Sequence, residues 1–261
     1  MSIKVIVCGA RGRMGQEVVS LIQKESDWQL VGAVESSKHP ELGIEIAKNV
    51  RITHDLRGVI QKDAVIIEFT TPEATLEHLR IAKECGVPMV IGTTGFTPEE
   101  IEEIKEASEH IPILLSPNMS VGINLLFALV KEVAQILQDF DKEIIEAHHR
   151  LKRDAPSGTA NKIAEILAEV EAQDLSKIAV YGRKGFKGER KKNEIGIHSI
   201  RGGSIVGDHT VLFAGDGERL EITHRAESRR IFARGALVGA RFLIQKEKGL
   251  YDLQDVLGIK R

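Results

Sequence analysis

The strongest constraint on this chain lies at its start, where residues 3–8 form a short β-branched run and Gly9-Ala10-Arg11-Gly12-Arg13-Met14-Gly15 follows directly. The glycines are spaced G-x-x-G-x-x-G, and Met14, Val18, Val19 and Ile22 then recur on one side of a helix. In this strand, turn and helix, one glycine permits the tight turn and the others let the backbone approach a pyrophosphate at the helix N-terminus. Glycines in turns are common, and a purely structural turn is the competing reading. The second strand, residues 28–35, decides between them: it ends in Glu35, twenty residues beyond Gly15, where an acid binds ribose hydroxyls. A nicotinamide dinucleotide is therefore expected here. Glu35 alone favours NADH, since a 2′-phosphate beside it meets like charge. Arg11, Arg13 and Lys38 offer cations to that phosphate, so both NADH and NADPH are expected to be accepted.

The pattern continues as alternating elements: strands over 64–69, 88–92 and 111–115, and helices over 72–85 and 97–108, the latter begun by Thr-Pro-Glu-Glu. Strands that read as nearly continuous apolar runs between helices indicate a parallel sheet covered on both faces. The first 115 or so residues are thus expected to be a doubly wound, Rossmann-like α/β domain. After Ser116-Pro117-Asn118 the pattern changes. A long apolar helix from Gly122 to about Leu137 precedes strands over 141–148, 194–201, 209–214 and 219–226, the last two joined by Gly215-Asp216-Gly217, with an amphipathic helix over 157–170. This half is expected to be a second α+β domain with a mixed or antiparallel sheet. Residues 182–193, rich in glycine and lysine and without periodicity, are expected to be a mobile loop. The expected division is 1–118 for dinucleotide binding, completed by 229–261, and 119–228 for substrate binding and oligomerisation.

Composition removes whole classes. With 36 Lys and Arg against 38 Asp and Glu, the formal charge is −2, which argues against a chain built to neutralise nucleic-acid phosphates or coat an anionic membrane. No apolar run reaches the roughly 20 residues of a membrane span, and the start lacks a signal-peptide pattern, so a cytoplasmic protein is expected. Cys8 and Cys85 form neither a metal-type nor a redox pair and read as core residues.

The densest group of titratable residues is EAHHRLKRDAPSGTA, residues 146–160, at the end of a strand. Successive strand residues point to opposite faces, so His148 and His149 do not share one small target unless the strand breaks there. No third ligand has the usual spacing, although His198, His209 and His224 stay unassigned, and no metal is expected. A solvated basic loop is the competing reading. Against it, Ser157-Gly158-Thr159 opens a helix just after the basic residues and offers backbone N–H groups to an anion. A small carboxylate substrate fits, with Lys152 as point charge or proton donor and a histidine as general acid.

These motifs together resemble the dihydrodipicolinate reductase family, the 4-hydroxy-tetrahydrodipicolinate reductases of the diaminopimelate route to lysine. The resemblance runs nearly end to end through GARGRMG (9–15), FTTPEAT (69–75), GTTGF (92–96), SPNMSVGIN (116–124), the 146–160 segment, and HSIRGGSIVGDHTVLFAGDGERLEITHRA (198–226). It implies cofactor contacts at Gly9, Ala10, Arg11, Gly12, Arg13, Met14, Glu35, Gly92, Thr93, Thr94, Ser116, Pro117, Asn118 and Met119. It also implies His148 as proton donor or acceptor, Lys152 as second proton donor, and substrate contacts at His149, Gly158 and Thr159. The implied reaction takes hydride from the nicotinamide to ring carbon 4 of a cyclic imine dicarboxylate, with loss of the hydroxyl as water and protonation of the adjacent carbon. A homotetramer built through the second domain's sheet, a C-terminal helix returning to the first domain, and hinge closure are implied as well. Ser36 departs from relatives that carry arginine after the ribose-binding acid, which bears on NADPH use. A semialdehyde dehydrogenase would require a catalytic cysteine in the second half, and there is none after Cys85; a non-catalytic dinucleotide sensor would not require the histidine and lysine segment.

Overall fold

The structure is a computed structural model and describes residues 2–186 and 188–259. Met1, Lys187 within the 182–193 loop, and the last two residues of the 229–261 segment lie outside that description. The chain divides into two compact units, one ending at Val121 and resuming at Arg229, the other spanning Gly122–Ser228.

The first unit opens with β1 (Ile3–Cys8), α1 (Arg13–Ile22), β2 (Trp28–Val34), β3 (Glu45–Ala47), β4 (Val50–Thr53), β5 (Ala64–Glu68), α2 (Pro72–Cys85), β6 (Met89–Ile91), α3 (Pro98–Ser108) and β7 (Pro112–Leu115). Next come α4 (Val121–Ile136), β8 (Asp141–His148), α5 (Gly158–Val170), α6 (Leu175–Ile178), β9 (Ala179–Tyr181), β10 (Ile195–Arg201), β11 (Gly207–Ala214) and β12 (Arg219–Ala226). The chain then returns to the first unit with α7 (Arg230–Leu243), β13 (Gly249–Tyr251) and α8 (Leu253–Leu257).

Eight strands of the first unit form one sheet in the order β13-β7-β6-β5-β1-β2-β4-β3, with every pair parallel except β3 with β4. The order reverses between β1 and β5, so a crevice opens beyond their carboxyl ends, where such sheets bind ligands. Val5, Val7, Val65 and Ile67 supply one buried face of the sheet, and Ile6, Ile66, Met89 and Ile91 the other. Local chemistry sets the helix limits. Thr97 and Glu100 form a reciprocal capping box at the start of α3, and α2 begins on a Thr71 cap with Pro72 behind it and stops at left-handed Gly86. On the returning helix, a Cβ at Gly235 would lie 1.6 Å from the Met119 carbonyl, so glycine is what allows α7 to pack this closely. The β3–β4 hairpin and β13 do not register in the sequence, because at three or four residues each they lack the continuous buried apolar run that marks the equally short β6.

The second unit holds a five-stranded sheet in the order β12-β11-β8-β10-β9. Strands β8, β10 and β9 run parallel and β11 runs antiparallel to both its neighbours, making the sheet mixed. One face buries Ile144, Ile195, Ile197, Val211 and Phe213 against α4 and α5. The 182–193 loop is less loose than its composition suggests. Arg183 donates to both oxygens of Glu143 at 2.9 Å, and Arg190 bonds Asp141 at 2.6 Å and Glu143 at 3.2 Å. These pairs join residues 40 or more positions apart, which a local reading of glycines and lysines does not register. No helix among the described residues is long and apolar enough to cross a membrane.

Candidate active site

In the first unit the site is built from backbone. Gly9 follows β1 with φ of +75°, donates to the Val34 carbonyl at 2.9 Å, and accepts from Gly12 N–H at 2.9 Å. A side chain at Gly15 would place Cβ 2.0 Å from the Gly9 carbonyl oxygen, so the turn and the helix behind it close only with glycine. Helix α1 has Gly12 as its N-cap, no side-chain cap and no acid in its first turn. Its leading N–H groups are left for an anion. Glu35, just past β2, accepts from the Arg11 N–H at 2.6 Å and the Ser36 N–H at 3.3 Å.

A cavity of about 790 Å³ lies on this turn, lined by Gly9, Arg11, Gly12, Glu35 and Phe69 among others. A second, of about 220 Å³, is lined by Met14, Gly92, Pro117, Asn118, Met119 and again Phe69. Phe69 lines both hollows, which between them take in nine of the residues expected from the sequence. The others divide by exposure. Ala10 and Ser116 are buried, while Arg13 and Thr94 are exposed. Thr93 is buried and turned inward, accepting from Thr70 N–H at 3.1 Å and Thr75 Oγ1 at 2.9 Å, so its side chain fixes the loops instead of facing the hollow. Ser116 Oγ donates to the Asn118 carbonyl at 2.9 Å and sets the turn that follows β7.

Beneath the turn, ligand atoms of Cys8, Glu68 and His78 lie within 4.8 Å of one another. Glu68 is fully buried and already engaged by His78 Nδ1 at 2.8 Å and Thr70 Oγ1 at 2.5 Å. Burial, with the Glu68 charge beside it, pushes the Cys8 thiol up.

In the second unit the site is built from side chains that strand register assembles. On the inner face of β8, Glu146 follows Ile144 and stands opposite His209 of β11 and Ser199 of β10; His148 stands opposite Arg201. Glu146 is fully buried. It accepts two hydrogen bonds from the Arg201 guanidinium at 2.7 and 2.9 Å, one from Ser157 N–H at 3.3 Å, and meets His148 Nδ1 at 2.5 Å. Burial would raise its carboxyl, but hydrogen bonds from Arg201, Ser199 and His148 outweigh that and hold it at about 2. A carboxylate on Nδ1 fixes the imidazole and turns Nε2 away from Glu146, 3.1 Å from where a Cβ on Gly207 would stand. Burial lowers the His148 pKa, the Lys152 and Arg201 charges lower it further, and Glu146 opposes them without prevailing.

Lys152 lies on the turn beyond the strand and places Nζ 2.8 Å from both oxygens of Asp154. The segment leads to Ser157, whose hydroxyl caps α5 by accepting from Ala160 N–H at 3.2 Å and pairs with His209 Nε2 at 3.1 Å. Gly158 is exposed at the first helical position, with Thr159 half-buried beside it. His209 is buried, its ring 5.2 Å from that of His148 in an edge arrangement. Burial, reinforced by His148, pushes it down to about 3, so it is neutral. Among the described residues, Nδ1 of His149 and of His209 and Nε of Arg201 are buried without a hydrogen-bond partner. Glu146, Arg201 and His209 belong to this cluster without a role legible in the sequence, and Ser157, expected there only to open the helix, joins it through His209. The partners of Glu146 and Ser157 lie 55 and 52 residues away, on strands whose register the chain does not announce.

The arrangement can orient one histidine, hold one ammonium next to it, and present a helix N-terminus to an anion. Comparison with known proteins bears on what such an arrangement serves. Residues 3–119 match the family model described as dihydrodipicolinate reductase, N-terminus, and residues 122–257 that of its C-terminus. A curated 4-hydroxy-tetrahydrodipicolinate reductase from Syntrophus aciditrophicus is 47% identical over 266 residues, 99% of each chain. A dipicolinate-bound dihydrodipicolinate reductase from Paenisporosarcina sp. TG-14 superposes with a TM-score of 0.80 at 29% identity, covering 97% of this chain and 98% of that one. Aspartate semialdehyde dehydrogenase II of Vibrio cholerae shares the fold alone, with a TM-score of 0.58 at 13% identity over 94% of this chain and 99% of that one. With family models covering both units, the chain belongs to the dihydrodipicolinate reductase family and is an oxidoreductase.

Proposed function

We propose that the chain reduces 4-hydroxy-tetrahydrodipicolinate to tetrahydrodipicolinate in diaminopimelate and lysine biosynthesis, with the first unit holding NADH or NADPH and the second holding the dicarboxylate. The observation that carries the reading is the Glu146–His148 pair set beside Lys152 and the start of α5. The uncapped, acid-free N-terminus of α1 fits a pyrophosphate, Glu35 fits a ribose diol, and Gly92, Pro117, Asn118 and Met119 fit the nicotinamide end. The cofactor, when bound, supplies the hydride.

Everything else is asked of the chain's own residues. One ring carboxylate meets the Gly158 and Thr159 N–H groups at the helix start, and the other meets Lys152 and His149. Lys152 leaves Asp154 to do so, exchanging one carboxylate for another. Two substrate carboxylates near His148 reverse the balance that lowers its pKa, so imidazolium forms when the dianion binds. Lys152 donates a proton to the departing hydroxyl and takes back the proton that the neighbouring carbon loses as water leaves; His148 Nε2 then gives one proton to that carbon, next to the one receiving hydride, so that one hydride and one proton enter for each water released. Glu146 holds the ring and stabilises its charge; Arg201 keeps Glu146 ionised. The fit also supports a cytoplasmic homotetramer joined through the outer face of the second sheet, where Ile145 and Ile200 are 37% and 51% exposed.

The test is the loss of NADH or NADPH absorbance when substrate is generated in place from pyruvate and aspartate semialdehyde by the upstream synthase. Turnover is expected with the wild-type chain. No loss of absorbance with either nucleotide, in a folded protein, would return the chain to a dinucleotide-binding role without catalysis.

A further inference from the structure

The phosphate turn carries a cation that is not left to the ligand. Arg11 sits between the first two glycines, and its backbone N–H is the one that binds Glu35. Its side chain turns to Glu41: Nη2 donates to one carboxylate oxygen at 3.1 Å, and Nε lies against the other as an ion pair, off the line of a hydrogen bond. Both side chains are about one-third exposed, so the pair rests at the rim of the larger cavity. Glu41 is itself held in place. Its N–H donates to His39 Nδ1 at 3.2 Å, Leu42 N–H to the His39 carbonyl at 3.3 Å, and Gly43 N–H to the Ile52 carbonyl of β4 at 2.8 Å. The loop after β2 is thereby fastened to the sheet, with a carboxylate on the guanidinium.

The consequence concerns the 2′-position of the adenosine ribose. Glu35 marks that position, and a 2′-phosphate there would bring a charge of about −1.5 to −2 at neutral pH. Of the three cations the sequence offers to it, Arg11 is the one that lines the cavity together with Glu35, and Glu41 neutralises it where a phosphate requires a free positive charge. We propose that Glu41 is a specificity-determining residue: by holding the Arg11 guanidinium it withholds that cation from a 2′-phosphate and favours NADH over NADPH. The proposal rests on the dinucleotide reading of the first unit and refines it. Glu41 acts through Arg11 and touches no reacting atom, and its signature is a change in the ratio of the two affinities.

The experiment measures Kd for NADH and NADPH on the full chain by titration calorimetry, for wild type, Glu41→Ala, Arg11→Ala and the double variant. Wild type is expected to bind NADH more tightly. Glu41→Ala is expected to improve NADPH about tenfold relative to NADH, the scale of a hydrogen bond to a charged group. The gain should vanish in the double variant, since without the guanidinium there is nothing to release. An unchanged ratio in Glu41→Ala, or a gain that persists without Arg11, overturns the proposal. So does a gain abolished by Lys38→Ala but not by Arg11→Ala, which would make Lys38 the phosphate contact. Failure of either nucleotide to bind the wild-type chain would instead defeat the dinucleotide reading, and this proposal with it. AMP against 2′-phospho-AMP gives the same comparison without the nicotinamide, and NADH binding by Glu41→Ala shows that the loop remains folded.

Discussion

The two units place their sites by opposite means. In the first, the candidate surface is backbone: Gly9, Gly12 and Gly15 strip away side chains and leave N–H groups and an uncapped helix end bare. In the second, the working surface is side chains, with Glu146, His148, Arg201, Ser157 and His209 brought together by the register of β8, β10 and β11 and the cap of α5. A backbone site tolerates almost any side chain that stays out of its way and almost none at the glycines. A side-chain site is the reverse, since each member has a partner left stranded by its removal.

The largest effect expected from this contrast is on turnover. His148→Gln and Lys152→Met should each lower kcat about 10²–10⁴-fold, the range of a general acid, while the Kd for NADH stays within about twofold. Weakened NADH binding together with lost turnover would mean that the two surfaces are not separable. The matching change in the first unit is Gly15→Ala. Its Cβ falls 2.0 Å from the Gly9 oxygen, and overpacking of this kind costs about 1–3 kcal/mol. The melting temperature should drop and NADH binding weaken at least tenfold, with no side chain of either site touched. Unaltered NADH affinity would show that the turn does not depend on close packing.

The same contrast explains what was legible in the sequence. The glycine turn and Glu35 were legible because a backbone site is local: its geometry is written as spacing over a few residues, and the acid follows one strand later. The Thr97 capping box and the 146–160 segment were legible for that reason too. Arg201 and His209 were not, because what brings them to Glu146 and Ser157 is a position across a strand pair, and one residue of slippage would turn each to the other face. His198 shows how little identity decides by itself. It left the sequence unassigned beside His209 and His224, and it lies on Glu143 at 2.8 Å among the arginines that hold the 182–193 loop. The grip of Glu41 on Arg11 spans 30 residues and was equally silent.

Intermediate in size is Glu146→Gln. Removing the carboxylate takes away what opposes the lowering of the His148 pKa. A group that must be protonated then loses its proton at lower pH. The limb of the kcat/KM profile on which activity falls with rising pH should shift to lower pH, with kcat down about tenfold. An unmoved profile would leave Glu146 a structural residue. Stability supplies an independent reading. Glu146 and Glu143 are both held at about 2 in the folded chain against an ordinary 4.5, so what they contribute is fully present above about 4.5 and is lost as pH falls toward 2. The wild-type melting temperature should fall over that window, and less steeply in Glu146→Gln.

The smallest effect is the sharpest test, because it holds the energy constant and varies only the place. Ser157→Ala and Thr97→Ala each delete an N-cap hydroxyl, one on α5 and the other on α3. Each should cost about 1 kcal/mol, or about 2–4 °C in melting temperature. Thr97 caps a surface helix of the first unit, and its loss should stop at stability. Ser157 also meets His209 Nε2, and its N–H reaches Glu146. In the proposed function the N–H groups of Gly158 and Thr159 hold a substrate carboxylate, and fraying the first turn of α5 blurs them, so Ser157→Ala should raise the substrate KM about threefold, the worth of one helix-end charge interaction. Equal melting temperatures with unequal KM would assign the anion to the start of α5. Equal KM in both variants would move it to Lys152 and His149 alone.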